Sequence, residues 1–164
     1  MKLIDCFMYF DEDLMLDLRL NILNKNVDKF IIAEATRDHG GNEKKLNFDI
    51  KNFTKFKDKI EYLIIDDVPI NVTSKKKNWS PNHWRDQHQR NSIARGFKNY
   101  SDDDLIMISD IDEIPDLRNI DIEKVNDNII AFSQFHSMYK LNLLIKEKWI
   151  GSKLCKFKKL KTVR

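Results

Sequence analysis

Leu105-Ile106-Met107-Ile108-Ser109-Asp110-Ile111-Asp112-Glu113-Ile114-Pro115 decides the reading of this chain. A short apolar run without helical period predicts a strand buried on both faces, as in a parallel sheet. It ends in three carboxylates and a proline that cannot continue a ladder. If the extended backbone persists, Asp110 and Asp112 project to the same side and Glu113 to the other. Two like charges this close repel unless a cation lies between them. Oxygen ligands suit a hard divalent cation, Mg²⁺ or Mn²⁺, shared with substrate phosphates. A structural turn or a helix cap is the alternative use of the same residues.

The segments before it predict an α/β order. Leu3 to Phe10 reads as a strand, followed by an acidic helix start at Asp11-Glu12-Asp13, where Asp11 or Asp13 can cap. From Leu14 to Asn26 the rows Leu16-Leu20-Leu23 and Met15-Leu18-Ile22 predict a wide buried stripe. Lys29 to Ala35 is a second buried strand carrying Glu34 at its end, then a polar loop, Thr36 to Asn42. This βαβ unit predicts parallel strands with ligands at their carboxyl ends, where Glu34 and Asp110 both fall. Phe48 to Lys59 is an aromatic helix or turn, and Glu61 to Val68 a third strand. Asp66 and Asp67 there are adjacent, so they point to opposite faces and cannot chelate together.

Ser80-Pro81 opens a helix expected to reach about Asn99, with serine as N-cap and proline in the first turn. Arg85, Gln89 and Ser92 share one of its faces. After Pro115, Asp121 to Val125 suggests a short helix. Ile129 to Phe135, Ser137 to Ile145 and Trp149 to Phe157 suggest three successive antiparallel strands. The fold class is α/β: a mostly parallel sheet flanked by helices, followed by antiparallel strands, in one domain.

The chain has 164 residues, 41% apolar, and its formal charge of +3 balances 29 basic against 26 acidic groups. That length supports one self-sufficient core, and the near balance of charge predicts no nucleic-acid partner. Lys75-Lys76-Lys77 and the basic C-terminus (Lys153 to Arg164) read as solvated faces, with peripheral contact to anionic lipid or a phosphorylated substrate as the alternative. Two distant cysteines, Cys6 and Cys155, imply neither a disulfide framework nor zinc. A charge at Asp5 comes too early for a secretory segment, and no apolar run approaches the roughly 20 residues of a membrane span. The expectation is a cytoplasmic protein.

Asp11/Asp13 and Asp102/Asp104 share the Asp-x-Asp spacing, but a helix cap and a solvated loop account for them; only Asp110/Asp112 terminates a buried strand. Arg85 and Arg90 suit either surface ion pairs or phosphate oxygens. Glu34 could cap a loop or take a ribose hydroxyl pair. The four histidines show no metal-ligand spacing, and Trp149 reads as core rather than a sugar platform. No phosphate-binding glycine loop is present, which leaves a metal to hold a diphosphate.

Several segments, taken in order, resemble glycosyltransferase family 17, whose members include the enzyme that adds bisecting N-acetylglucosamine. They are Asp5-x-Phe7-x-Tyr9-Phe10, the helix Leu14 to Leu20 with Arg19, Val27 to Thr36 with Glu34, Arg85-Asp86-x-x-Gln89-Arg90-Asn91 and Ile108 to Pro115. Trp149-x-Gly151-Ser152 matches more loosely. The resemblance implies a GT-A fold, a nucleotide-sugar donor such as UDP-GlcNAc, a glycan acceptor and inversion in a single displacement. It implies Mn²⁺ or Mg²⁺ held by Asp110 and Asp112, with Asp110 also serving ribose. Glu34 would sit in the nucleotide pocket, and Arg85, Gln89, Arg90 and Asn91 would border the donor. Residues 1–115 would form the nucleotide-sugar half and 116–164 a partial acceptor half. Family domains are generally longer, and no residue carries over as the base that inversion needs. A bacterial or viral surface glycan, polysaccharide or lipopolysaccharide, is the expected acceptor. A truncated, catalytically silent nucleotide-sugar-binding domain is the alternative, and a nucleotidyl- or phosphotransferase a weaker one.

Overall fold

In the computed structural model, residues 1–72, 80–118, 120–122, 125, 128–140 and 142–160 are described. The first strand, β1 (Leu3–Tyr9), alternates as a two-sided strand must: Leu3, Phe7 and Tyr9 join one apolar cluster, Ile4 and Cys6 the other. β2 (Lys29–Ala35), β3 (Ile60–Ile65) and β4 (Leu105–Ser109) are parallel to it. β5 (Ile130–Gln134) and β6 (Trp149–Lys156) pair antiparallel, and β6 runs antiparallel to β4. Among the described residues the sheet has six strands in the order β3-β2-β1-β4-β6-β5. The chain order reverses between β1 and β4, so a crevice opens at their carboxyl ends, the place where such sheets take ligands.

Helix α1 (Asp13–Leu23) crosses from β1 to β2 and buries Leu16, Leu20 and Leu23 on one face of the sheet. Burying each leucine contributes about 2 kcal/mol. Of the second expected row only Met15 packs against the core: Leu18 is 42% and Ile22 50% exposed, so the buried stripe is narrower than the periodicity suggests. The N-cap is Glu12 rather than Asp11 or Asp13. Its carboxylate accepts from the amides of Phe10 and Asp11 (2.9 and 3.1 Å), while Asp13 accepts from the Tyr9 hydroxyl at 2.6 Å.

Ser80 caps α2 (Pro81–Ser92) in a capping box with His83. α2 stops well short of Asn99 and tightens into a 3₁₀ turn at Ile93–Gly96. The Ser92 hydroxyl donates back to the His88 carbonyl at 2.8 Å, a bond that competes with the helical ladder. Ile93 then packs on the face of the sheet opposite α1.

Only two of the three expected antiparallel strands form among the described residues. The segment after β5 folds back on itself, with a single bridge between Ser137 and Leu144. Met138, Leu143 and Leu144 are exposed, so no buried face holds that segment in a ladder. The lysine run 75–77, residues 123 and 124 of the suggested helix 121–125 and the last four residues lie outside the described residues. No helix among the described residues is long and apolar enough to cross a membrane.

Candidate active site

β4 ends at Ser109, so Asp110 and Asp112 stand on a turn rather than on a continuing strand. The Glu113 amide closes it onto the Asp110 carbonyl at 3.1 Å. Ile111 is buried in the α1-side core. Pinning the middle residue inward leaves the two aspartates on its flanks facing the same cleft, the arrangement expected of an extended strand reached by another backbone.

Arg19 holds this turn from beneath. Its side chain is fully buried and pairs bidentately with the equally buried Asp5 (2.8 and 2.7 Å). Nη1 donates to the carbonyls of Asp110, Ile111 and Glu113 at 3.1, 3.1 and 2.9 Å, and Nη2 to the Ser109 hydroxyl at 2.5 Å. The guanidinium also lies 4.6 Å from the Phe7 ring centroid. An arginine in the leucine row of α1 and an aspartate inside a buried strand are the sequence signal for this pair. Each would be costly to bury alone.

The segment Trp149-x-Gly151-Ser152 of β6 braces the other side of the turn. The Trp149 indole N–H donates to Glu113 Oε1, Glu113 Oε2 accepts from the Asp110 amide at 3.1 Å, and the Ser152 hydroxyl donates to the Glu113 carbonyl at 2.9 Å. A Cβ on Gly151 would fall inside the Glu113 carboxylate, so glycine is required for this approach. Glu113 is therefore a bonded support of the aspartates. Trp149, expected in the core, is 47% exposed.

The cleft at the β1–β4 reversal has a volume of about 570 Å³ and is lined by Tyr9, Arg37, His39, Lys44, Gln89 and Arg90 together with Asp110 and Asp112. Arg90 Nη2 donates to Asp110 Oδ1 at 2.7 Å and to Asp86 at 3.4 Å. Burial alone would lower the Arg90 pKa, but the charge and hydrogen bond of Asp110, with Asp86, outweigh it and hold the guanidinium above its ordinary value. Gln89 donates to the Ala33 carbonyl (3.0 Å), which orients its oxygen to accept from His39 Nε2 at 3.1 Å. Asp112 is exposed and takes no partner among the described residues.

The other expected residues lie elsewhere. Glu34 is fully buried and does not line the cleft. Its oxygens accept from the amides of Asn47 (2.8 Å) and Phe48 (3.1 Å), the Tyr62 hydroxyl (2.7 Å) and the Lys44 ammonium. Burial and the bond to Glu34 push the Tyr62 phenol well above its ordinary value. Glu34 thus reaches the cleft through Lys44 and the loop it fixes. Among the described residues Arg85 forms neither a surface ion pair nor a cleft contact. It donates to the carbonyls of Pro69 (2.9 Å), Ile70 (2.8 Å) and His39 (3.1 Å), tying two loops together. Gly41 (φ +94°) is pressed against it, where a Cβ would stand 2.8 Å from the guanidinium carbon. Asn91 is exposed on the outer side of α2, beside Trp84 and His88.

Among the described residues no three His, Cys, Asp or Glu side chains cluster to enclose a metal. The donor set near Asp110 and Asp112 is two carboxylates open to the cleft. That set fits Mg²⁺ or Mn²⁺, which take one or two carboxylates and complete their shell with water and substrate phosphates.

An α/β sheet with an acidic turn at its strand reversal defines the class: an open α/β protein with a cleft at its β1–β4 crevice. The family model of glycosyltransferase family 17 matches residues 1–162, so the chain belongs to that family and is a glycosyltransferase. No curated protein and no solved structure matches it.

Proposed function

We propose that the protein is a metal-dependent, inverting glycosyltransferase of GT-A architecture. It would move a sugar, N-acetylglucosamine or a related hexose, from a UDP-GlcNAc-like donor to a glycan. The observation that carries this reading is the acidic turn, with both aspartates facing one cleft at the strand reversal. A parallel β3-β2-β1-β4 order with antiparallel β6 beside β4 supports the GT-A assignment. In this reading residues 1–115 bind the nucleotide sugar and 116–164 contribute to the acceptor side. The acceptor is a surface polysaccharide or lipopolysaccharide, and the enzyme acts in the cytoplasm, consistent with two buried free thiols.

Asp110 and Asp112 would hold Mn²⁺ or Mg²⁺, shared with the phosphates of the donor. The bound cation supplies Lewis-acid neutralisation of charge on the leaving diphosphate. Arg90 stands beside Asp110 with Nε and Nη1 unpartnered among the described residues, so it can donate to a phosphate oxygen as charge develops there. His39 and Gln89 orient the donor from the β2 side. An acceptor hydroxyl oxygen attacks the anomeric carbon as the bond to the diphosphate oxygen breaks. The bonding pair leaves with the diphosphate, the hydroxyl proton passes to a base, and the configuration inverts.

Titration of UDP-GlcNAc and other nucleotide sugars with and without Mn²⁺, followed by assay of released nucleotide, tests this reading. Metal-dependent binding and release that vanish in Asp112→Asn are expected. Binding without release would favour a silent sugar-nucleotide domain, and no binding of any nucleotide sugar would refute the donor site.

A further inference from the structure

Four aromatic rings are exposed among the described residues: Phe10, Phe135, Tyr139 and Trp149. Phe10 lies in the donor cleft with the Lys44 ammonium 5.0 Å from its ring centroid. The other three line one depression of about 440 Å³ on the far side of the acidic turn. Asp110 and Asp112 line this depression as well as the donor cleft, so the two spaces meet at the aspartates.

Water-exposed rings are unfavourable unless something covers them, and here they come with hydrogen-bonding groups between them. Trp149 stands against the His136 ring (centroids 5.5 Å, 46° apart), with its N–H bonded to Glu113, so its orientation is fixed before any ligand arrives. Tyr139 is 93% exposed and has a left-handed backbone (φ +61°). A bulky side chain in that conformation costs about 1 kcal/mol or more. Phe135 is 76% exposed, but the Lys148 ammonium, 3.0 Å from its centroid, already takes one of its faces. Gln134, His136 and Lys140 supply donors and acceptors around them.

We infer that this depression is the acceptor subsite and that it takes a saccharide ring, stacked on Trp149 and Tyr139. The inference rests on the donor assignment above. A pyranose has a face of C–H groups and a rim of hydroxyls, so it matches an aromatic surface edged by polar side chains. The site also satisfies the geometry the reaction demands, because an acceptor hydroxyl must reach the anomeric carbon of a donor held at Asp110 and Asp112. A ligand on Trp149 would further steady Glu113, and through it the Asp110 amide.

The test uses the full chain with diamagnetic Mg²⁺ and UDP bound. Methyl β-D-glucopyranoside, methyl β-D-galactopyranoside, methyl α-D-mannopyranoside and N,N′-diacetylchitobiose are added at millimolar concentrations. NMR then follows the ring signals of Trp149 and Tyr139. At least one saccharide is expected to shift both rings. Its affinity should fall about tenfold in Tyr139→Ala and in Trp149→Ala but be largely kept in Trp149→Phe, which retains a ring and loses only the N–H. Tyr139 is so exposed that its variant tests binding without a folding defect. Saccharide binding that leaves both rings unmoved, affinity in either alanine variant unchanged from the unsubstituted protein, or no saccharide binding while UDP still binds each overturns the inference. Failure of UDP itself to bind would refute the donor site, and the acceptor subsite with it.

Discussion

Arg19 and Arg90 both reach the acidic turn, one from beneath and one from the cleft, and they do opposite things. Arg19 is fully buried, and its donors go to Asp5, Ser109 and three carbonyls. Nothing remains to offer a ligand, so its role is to fix the turn. Arg90 is partly exposed, holds one oxygen of Asp110 and retains free donors toward the cleft. The difference teaches that burial, not residue type, separates framework from chemistry here. The same division holds for carboxylates: Glu34 is saturated and enclosed, whereas Asp112 is open.

The largest break in this contrast is expected from Arg19→Met, which leaves the Asp5 carboxylate buried without a partner. It should cost about 3–5 kcal/mol in urea unfolding. Adding Asp5→Leu should recover most of that stability without restoring transfer, because the turn still lacks its anchor. A loss below about 1 kcal/mol in the single variant would show that the pair does not hold the turn. Asp112→Asn should do the reverse. Transfer should fall about a hundredfold or more, while the stability in urea unfolding stays within the small range of exposed substitutions, about 0.5 kcal/mol. Equal activity would remove Asp112 from the chemistry.

Glu34→Gln lies between these extremes. It turns one acceptor into a donor facing other donors, and about 1–3 kcal/mol should be lost. Hydrogen exchange at the Asn47 and Phe48 amides should speed up. Unchanged protection there would mean that Glu34 does not fix the loop.

The smallest effect is expected at Asp67, whose carboxylate meets Arg95 at 2.9 and 2.6 Å on the surface. The hydrogen bonds from Arg95 hold its carboxyl well below the usual range. A depressed carboxylate stabilises the fold above its unfolded pKa of about 3.9, and that contribution is lost as pH falls through the lower folded value. Exposure screens the pair, so Arg95→Ala should cost less than about 1 kcal/mol at neutral pH, with the deficit shrinking in strong acid. Melting curves at both pH values measure it.

The predicted α/β order matches the structure wherever a segment is apolar on both faces, as in Phe30 to Ala33 and Leu105 to Ile108. Such runs have only one place to go. The segment Ser137 to Ile145 has comparable strand composition, but its partner strand and buried face had to come from elsewhere in the chain. They do not, and it forms a loop with exposed Leu143 and Leu144. At the site, the Asp110/Asp112 pair was legible because its carboxylates interrupt an apolar run. The bonding of Glu34 and Arg85 was not, because each finds partners 10 to 46 positions away.

By itself the sequence determined the parallel strands, the capped helix at Ser80 and the position of the acidic turn, all set by patterns within a few residues. The motif resemblance added the family, which the match over residues 1–162 bears out. Tertiary structure alone decided which charged groups are framework and which face the cleft. It also exposed Trp149 beside the aspartates instead of burying it. Those outcomes depend on solvent access and on partners far apart along the chain, and only the folded arrangement sets either one.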